Sequence, residues 1–241
     1  MEYVQALGLE RGITAVVGAG GKKSTIYDAA GAIDRAVVTS TVRIPPFDEN
    51  VAELHRTSEP AAALETVESW PVGLAAGAEE SRYLGYEPSV IEAIADHAAP
   101  AAVLVKADGA RNREFKAPGE DEPRIPPAAD RVLGIASVQV VGEPLDENRV
   151  HRPERVRALT GRAVGETVTV EDVVTVLTSE AGTEKAVPES AEFIPVLNKA
   201  DTEADLAVAR EIADGVLERG RANRVAITRL IDAEPLLELR S

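Results

Sequence analysis

The chain has 241 residues and no cysteine, which excludes a disulfide framework, an iron–sulfur cluster, a thiolate zinc site and a thiol nucleophile; its chemistry must use oxygen and nitrogen groups. With 41 acidic against 26 basic residues the formal net charge is −15, a field that repels nucleic acid and anionic membrane surfaces. The length fits one sizeable domain over residues 1–241, and an aliphatic composition with 3% aromatics suits helices packed on a parallel sheet.

In chain order, short aliphatic runs alternate with stretches of helical spacing. This is the sign of an α/β fold with an open, mostly parallel sheet flanked by helices, a three-layer sandwich. The first strand is expected over 13–17. It feeds into Gly18-Ala19-Gly20-Gly21-Lys22-Lys23-Ser24-Thr25, and a helix follows over 23–33. Glycines let successive backbone N–H groups turn toward a phosphate, the helix N-terminus adds positive potential, and Lys22 neutralises the terminal phosphates. Ser24 or Thr25 is then the candidate hydroxyl for Mg²⁺. The strict spacing G-x-x-x-x-G-K-[ST] is not met, because counting back from Lys22 or Lys23 gives Val16 or Val17 where a glycine is required.

A second strand over 36–39 leads to Thr39-Ser40-Thr41. There Thr41 or Ser40 is a candidate to sense a γ-phosphate, with Thr41 also a candidate metal ligand. Residues 44–47 read as irregular, 50–54 and 61–67 as helix, 72–75 as strand and 88–97 as helix. A strand over 102–106 runs into Ala107-Asp108-Gly109, the pattern of an apolar strand ending in a Mg²⁺-holding acid, although Asp-Gly is also a common strand-to-turn pair. Arg111, Arg113 and Lys116 form a local cationic cluster that either meets an anion or pairs with Glu114, Glu120 and Asp121. Arg111 is the candidate for stabilising transition-state charge.

Residues 115–127 hold four prolines and read as an irregular loop. A strand over 132–141 follows, then a second basic spot at His151, Arg152 and Arg155, and helices over 153–159 and 170–177. The run 193–197 is a strand ending in Asn198-Lys199-Ala200-Asp201, an N-K-x-D sequence at a strand carboxyl end. In such a motif the aspartate accepts from the guanine N1–H and exocyclic amine, the lysine stem covers the base and the asparagine braces the loop. Asp201 or Thr202 also stands where a helix over 202–219 needs its cap. A weaker strand is expected over 224–227. His55 and His97 fall in helix-like segments and receive no role.

These blocks together resemble the YqeC family, accessory proteins of selenium-dependent molybdenum hydroxylases. The resemblance rests on Val17-Gly18-Ala19-Gly20-Gly21-Lys22, Thr39-Ser40-Thr41, Lys106-Ala107-Asp108-Gly109-Ala110-Arg111 and Phe115-Lys116-Ala117-Pro118. It continues through Glu122-Pro123-Arg124-Ile125-Pro126, His151-Arg152-Pro153-Glu154 and Asn198-Lys199-Ala200-Asp201. The chain departs from the family in having Lys23 where a hydroxyl residue usually follows Gly-Gly-Lys. The resemblance implies a P-loop-like nucleotide site and a role in maturing a molybdenum enzyme.

The expectation is therefore a Mg²⁺-dependent nucleotide-binding protein, a slow NTPase or switch, with GTP favoured over ATP. Its alternatives are phosphoryl or nucleotidyl transfer to a molybdopterin-type precursor and a non-catalytic module that binds a hydroxylase. The expected partners are a nucleotide and a molybdenum hydroxylase or its cofactor, with no nucleic acid and no membrane. No run is long and apolar enough to span a bilayer, and Met1-Glu2-Tyr3 is unlike a basic signal-peptide start, so a cytoplasmic location is expected. Six lysines against twenty arginines, with acids scattered along the whole chain, is the pattern expected of a halophilic proteome, the alternative being an ordinary acidic protein from a GC-rich genome.

Overall fold

The computed structural model describes residues 2–230 and 234–241. In chain order it contains α1 (Glu2–Leu7), β1 (Gly12–Gly18), α2 (Lys22–Ala32), β2 (Ala36–Ser40), β3 (Glu53–Arg56), α3 (Pro60–Leu64) and β4 (Val72–Ala75). A small hairpin of β5 (Gly77–Glu79) and β6 (Arg82–Leu84) precedes α4 (Pro88–Ala95), β7 (Ala102–Lys106), β8 (Phe115–Lys116) and β9 (Arg131–Ser137). Then come β10 (Val150–His151), α5 (Pro153–Thr160), α6 (Val170–Leu177), β11 (Glu192–Asn198), α7 (Glu203–Arg219), β12 (Val225–Thr228) and β13 (Leu236–Arg240).

Nine strands form one sheet in the order β13-β12-β11-β9-β1-β7-β2-β4-β3, parallel throughout except for the antiparallel β12–β13 pair at one edge. Alternate residues of the strands supply two cores. Ile13, Ala15, Val17, Val37, Val103 and Val105 pack with buried residues of α3 to α7 on one face, and Val16, Val38 and Leu104 pack with α1 and α2 on the other. The result is the α/β sandwich with helices on both faces that the alternation of runs predicts. Among the described residues no helix is long and apolar enough to cross a membrane.

The order of strand addition reverses at β1. The chain first moves to β2 and β4, inserts β7 between β1 and β2, and then crosses to add β9, β11 and β12 on the other side of β1. Open α/β sheets bind ligands above the strand carboxyl ends at such a reversal.

Several local expectations change. Residues 50–54 are not helical: a single 3₁₀ turn at Asp48–Asn50 leads into β3, which pairs with β4 from Glu53↔Val72 to Arg56↔Ala75. His55 therefore sits on an edge strand, and His97 lies just beyond α4. The strand expected over 132–141 stops at Ser137, whose Oγ accepts from the Gln139 N–H and turns Val138–Val140 into a 3₁₀ helix with Val138 and Val140 buried. The 115–127 loop contains the short β8, paired in parallel with β10. Thr202, not Asp201, caps α7: its hydroxyl accepts from the Asp205 N–H, and Asp205 returns the bond to the Thr202 N–H.

Candidate functional site

The segment 18–25 is a tight glycine loop between β1 and α2. Gly18, Gly20 and Gly21 have φ of +91°, +87° and +140°. A Cβ on Gly20 would lie 2.6 Å from the Ser137 nitrogen and 2.7 Å from the Glu114 carbonyl, so both conformation and space demand glycine. Three amides of the loop are used internally. Gly18 N–H donates to Asp108 Oδ2, Ala19 N–H to the Ile135 carbonyl and Gly20 N–H to the Arg113 carbonyl, each at 2.9 Å.

The amides of Lys22, Lys23 and Ser24 precede the first backbone bond of α2, from Thr25 N–H to the Gly21 carbonyl, and Gly21 supplies no side-chain cap. By contrast α6 and α7 each begin with a capping box. The α2 N-terminus thus keeps its donors and dipole available for an anion.

Beneath the loop lies a buried ionic network. Lys22 Nζ bonds the Gly18 carbonyl and sits 2.8 Å from Asp108 Oδ1, while Lys116 Nζ is 2.9 Å from Asp108 Oδ2 and 2.8 Å from Glu122 Oε2. Arg152 closes the chain at 2.7 Å from the same Glu122 oxygen. The Lys22, Asp108 and Lys116 side chains are at most 5% exposed.

Burial opposes ionisation of Asp108, but the two ammoniums outweigh it and hold its carboxyl below the usual range. Burial likewise opposes ionisation of Glu122, and the bonds from Arg152 and Lys116 bring that carboxyl down to about 2. The Lys22 pKa is lowered by burial more than Asp108 restores it, with Lys116 pushing the same way. At the end of β7, Lys106 donates to the carbonyls of Asp108 at 2.8 Å and Arg43 at 3.4 Å; burial, then the Lys22 charge, pushes it down to about 7. Lys22, Lys116 and Arg152 against Asp108 and Glu122 leave an excess of positive charge beside the loop.

Above this network a cleft of about 480 Å³ opens at the carboxyl ends of the strands. It is lined by Lys22, Lys23, Lys106, Lys199, Arg43, Arg82, Arg111 and Arg113, with Glu114 the one acid of its wall among the described residues. Lys23, Arg82, Arg111 and Arg113 have no side-chain hydrogen bond or ion pair among the described residues. The 109–114 loop that forms one wall holds Arg111 and Asn112 at φ of +47° and +58°, a left-handed backbone that is costly for non-glycine residues.

The N-K-x-D segment reaches the loop from β11. Asn198 Nδ2 donates to the Gly20 carbonyl at 2.8 Å, and its Oδ1 accepts from the Thr228 hydroxyl at 3.1 Å and the Leu230 N–H at 3.4 Å. Asn198 therefore braces the glycine loop. Lys199, at φ +63°, lines the cleft with Nζ 2.8 Å from Glu114 Oε1. Asp201 lies outside the cleft wall, accepting from Gln139 Nε2 at 2.8 Å, while Arg229 donates to its carbonyl at 3.3 Å.

The candidate metal ligands do not converge. Ser24 is exposed and lines the cleft, whereas the Thr25 hydroxyl is buried and donates to the Gly21 carbonyl at 3.2 Å. Thr41 is outside the cleft wall and donates to the Arg124 carbonyl at 2.7 Å; the Ser40 hydroxyl lies 2.8 Å from the carbonyls of Val42 and Lys106. Both carboxylate oxygens of Asp108 already face ammoniums. No group of three or more His, Asp or Glu side chains among the described residues forms a protein-only metal site.

The donors that suit Mg²⁺ are the Ser24 hydroxyl and the carboxylate of Glu114, whose Oε2 is buried in the cleft wall without a hydrogen-bond partner. This set fits a cation that arrives with most of its oxygens supplied by phosphate and water.

Sequence reasoning did not single out Arg43 or Arg82, and it quoted Glu122 only within the family resemblance, without a role. Arg43 stands three residues past the end of β2, a position in the ligand-bearing layer of such a sheet, so strand-end bookkeeping would have found it. Arg82 has no such signal, since the hairpin that carries it is too short to read. The second basic spot is neutralised: Arg152 pairs with Glu122, Arg155 with Glu120, and burial, then Arg152, pushes His151 down to about 4.

A relative from Escherichia coli strain K12, described as "Uncharacterized protein YqeC", is 26% identical over 199 residues, covering 78% of this chain and 75% of that protein. A family profile described as "YqeC protein" matches residues 14–154. The matched segment contains the glycine loop, Asp108, Lys116, Glu122 and Arg152, and stops before Asn198. Since it covers more than half of the sequence, the chain belongs to the YqeC family.

Proposed function

We propose that this protein binds a nucleoside triphosphate with Mg²⁺, GTP in preference to ATP, and acts as a slow NTPase or switch in the maturation of a selenium-dependent molybdenum hydroxylase. One observation carries the nucleotide reading. In a chain of net charge −15, cations with no side-chain partner among the described residues and an uncapped helix N-terminus converge on one cleft at the reversal point of the sheet.

The β- and γ-phosphates take the free amides of Lys22, Lys23 and Ser24 together with the Lys22 and Lys23 ammoniums. Asp108 serves as the counter-ion that aims Lys22. Ser24 and Glu114 are the side chains that would hold Mg²⁺, which supplies charge neutralisation on the phosphate oxygens. Arg111 is free to follow charge as it develops on a transferring phosphoryl group. For the base, Asp201 exchanges its Gln139 partner for the guanine N1–H and exocyclic amine, a pair that adenine does not offer, and the Lys199 stem covers the ring. The accessory role draws its support from family membership, and the acidic composition fits work at high salt.

The test is a single-turnover assay with protein in excess, Mg²⁺, and GTP or ATP, run with and without potassium. Slow Mg²⁺-dependent release of phosphate from GTP is the expected result, and no cleavage of either nucleotide sinks the hydrolase reading. Phosphoryl or nucleotidyl transfer to a small anionic acceptor is the second reading, favoured by the part of the cleft that lies beyond Lys106. Labelled nucleotide whose phosphate appears on an added acceptor would select it.

A further inference from the structure

The cleft extends beyond the glycine loop, and the strand order shows in which direction. Along the sheet the strands run β11, β9, β1, β7, β2, β4, with neighbours about 4.8 Å apart. Asn198 to Asp201 leave from β11, two strands to one side of the glycine loop. Arg43 follows β2, two strands to the other side and about 10 Å from β1 by that spacing. Arg82 sits on the β5–β6 hairpin that follows β4. A nucleotide with its phosphates on α2 and its base toward β11 therefore leaves the β7–β2–β4 half of the cleft uncovered.

That half is built for an anion. Lys106 is its buried lysine, and among the described residues its Nζ contacts are backbone carbonyls. Arg82 has no side-chain partner among the described residues. Arg43 has one, Glu79 of the same hairpin, and both are more than half exposed, so the pair gives way cheaply to a stronger ligand.

The two arginines are carried as a unit. Ile44 and Tyr83 exchange backbone hydrogen bonds at 3.0 and 2.8 Å, Tyr83 packs edge-on against Phe47 at 5.6 Å between centroids, and its hydroxyl donates to the Asp48 carboxylate.

We infer that Arg43, Arg82 and Lys106 form a second anion subsite that holds the phosphate group of a phosphate ester while a nucleotide occupies the glycine-loop half. The inference rests on the nucleotide reading only for what fills that other half. The phosphate belongs either to a separate co-substrate or to the far end of one long ligand.

Calorimetry on the full chain tests it, with inorganic phosphate as the probe, titrated in the presence and absence of a saturating non-hydrolysable GTP analogue and Mg²⁺. Phosphate is expected to bind in both cases. The Arg43→Ala/Arg82→Ala double variant is expected to weaken phosphate binding to the analogue-saturated chain by about tenfold or more and to weaken the analogue itself by less. Arg82→Glu, with an unchanged melting temperature, guards against a folding artefact.

Failure of phosphate to bind the analogue-saturated chain, or unchanged phosphate affinity of that complex in the folded variants, overturns the subsite. If the analogue fails to bind while phosphate binds in an arginine-dependent way, the nucleotide reading falls and the subsite stands. If ribose 5-phosphate binds on top of the analogue, the source is a separate ester. If a bis-guanosine polyphosphate instead gains affinity over the analogue only when both arginines are present, one spanning ligand is the source.

Discussion

Along the edge formed by α7 and β13, cations are matched with acids. Arg210 meets Glu238, Arg240 meets Asp214 and Glu238, Arg219 meets Glu171, and nearby Arg224 meets Glu192. Around the cleft, Lys23, Arg82, Arg111 and Arg113 have no partner among the described residues. Acids are in surplus, 41 against 26 bases, so carboxylates could have been supplied to the cleft as well. Withholding them there concentrates positive potential at one spot of a negative protein, which costs stability through self-repulsion and suits a polyanionic ligand.

Substitutions can break this contrast. The largest effect is expected from Asp108→Asn, which leaves Lys22 and Lys116 facing each other without their shared counter-ion; the loss is about 3–5 kcal/mol of stability, read by thermal or denaturant unfolding. Next is Arg111→Ala. It removes an unpaired side chain and should leave the melting temperature unchanged while lowering the single-turnover rate on Mg²⁺·GTP by about 10²–10³-fold; an equal loss of stability would make Arg111 structural.

A smaller effect is expected from Glu122→Gln. With its carboxyl held at about 2 in the folded protein against an ordinary 4.5, ionised Glu122 contributes stability that is complete above 4.5 and lost as pH falls toward 2. The variant should be less stable at neutral pH and show a shallower acid limb in that window. The smallest effect is expected at the paired edge, where Arg210→Ala leaves nucleotide binding untouched and moves the melting temperature little.

The main strands and longer helices were legible because they carry one period each. Ile13, Ala15 and Val17 alternate with Val16, and α7 places Ala209, Ile212, Ala213 and Val216 on one buried stripe. β3 was not legible. It is a half-exposed edge strand with Glu53, His55 and Arg56 around a single Leu54, so neither face shows an apolar rhythm. The run 132–141 misled because apolar residues continue through a 3₁₀ turn that is itself buried.

At the site, the glycine loop, Asp108, Arg111 and Asn198 were legible as motifs at strand ends. The bond from Asn198 to Gly20 joins residues far apart in sequence and follows only from the strand order. For the same reason the saturation of Asp108 by two lysines was hidden. Lys22 and Lys116 are distant along the chain, and only the packing of the 115–127 loop beneath the glycine loop brings them to one carboxylate.

The most direct test is calorimetric titration of Mg²⁺·GTP and Mg²⁺·ATP into the wild-type chain and a Lys23→Ala/Arg111→Ala/Arg113→Ala variant, at low and high salt. Saturable one-site binding, tighter for GTP, weakened by salt and lost in a variant that melts like the wild type, is the predicted result. A folded wild-type chain that binds neither nucleotide, or a triple variant that binds as well as the parent, would contradict it.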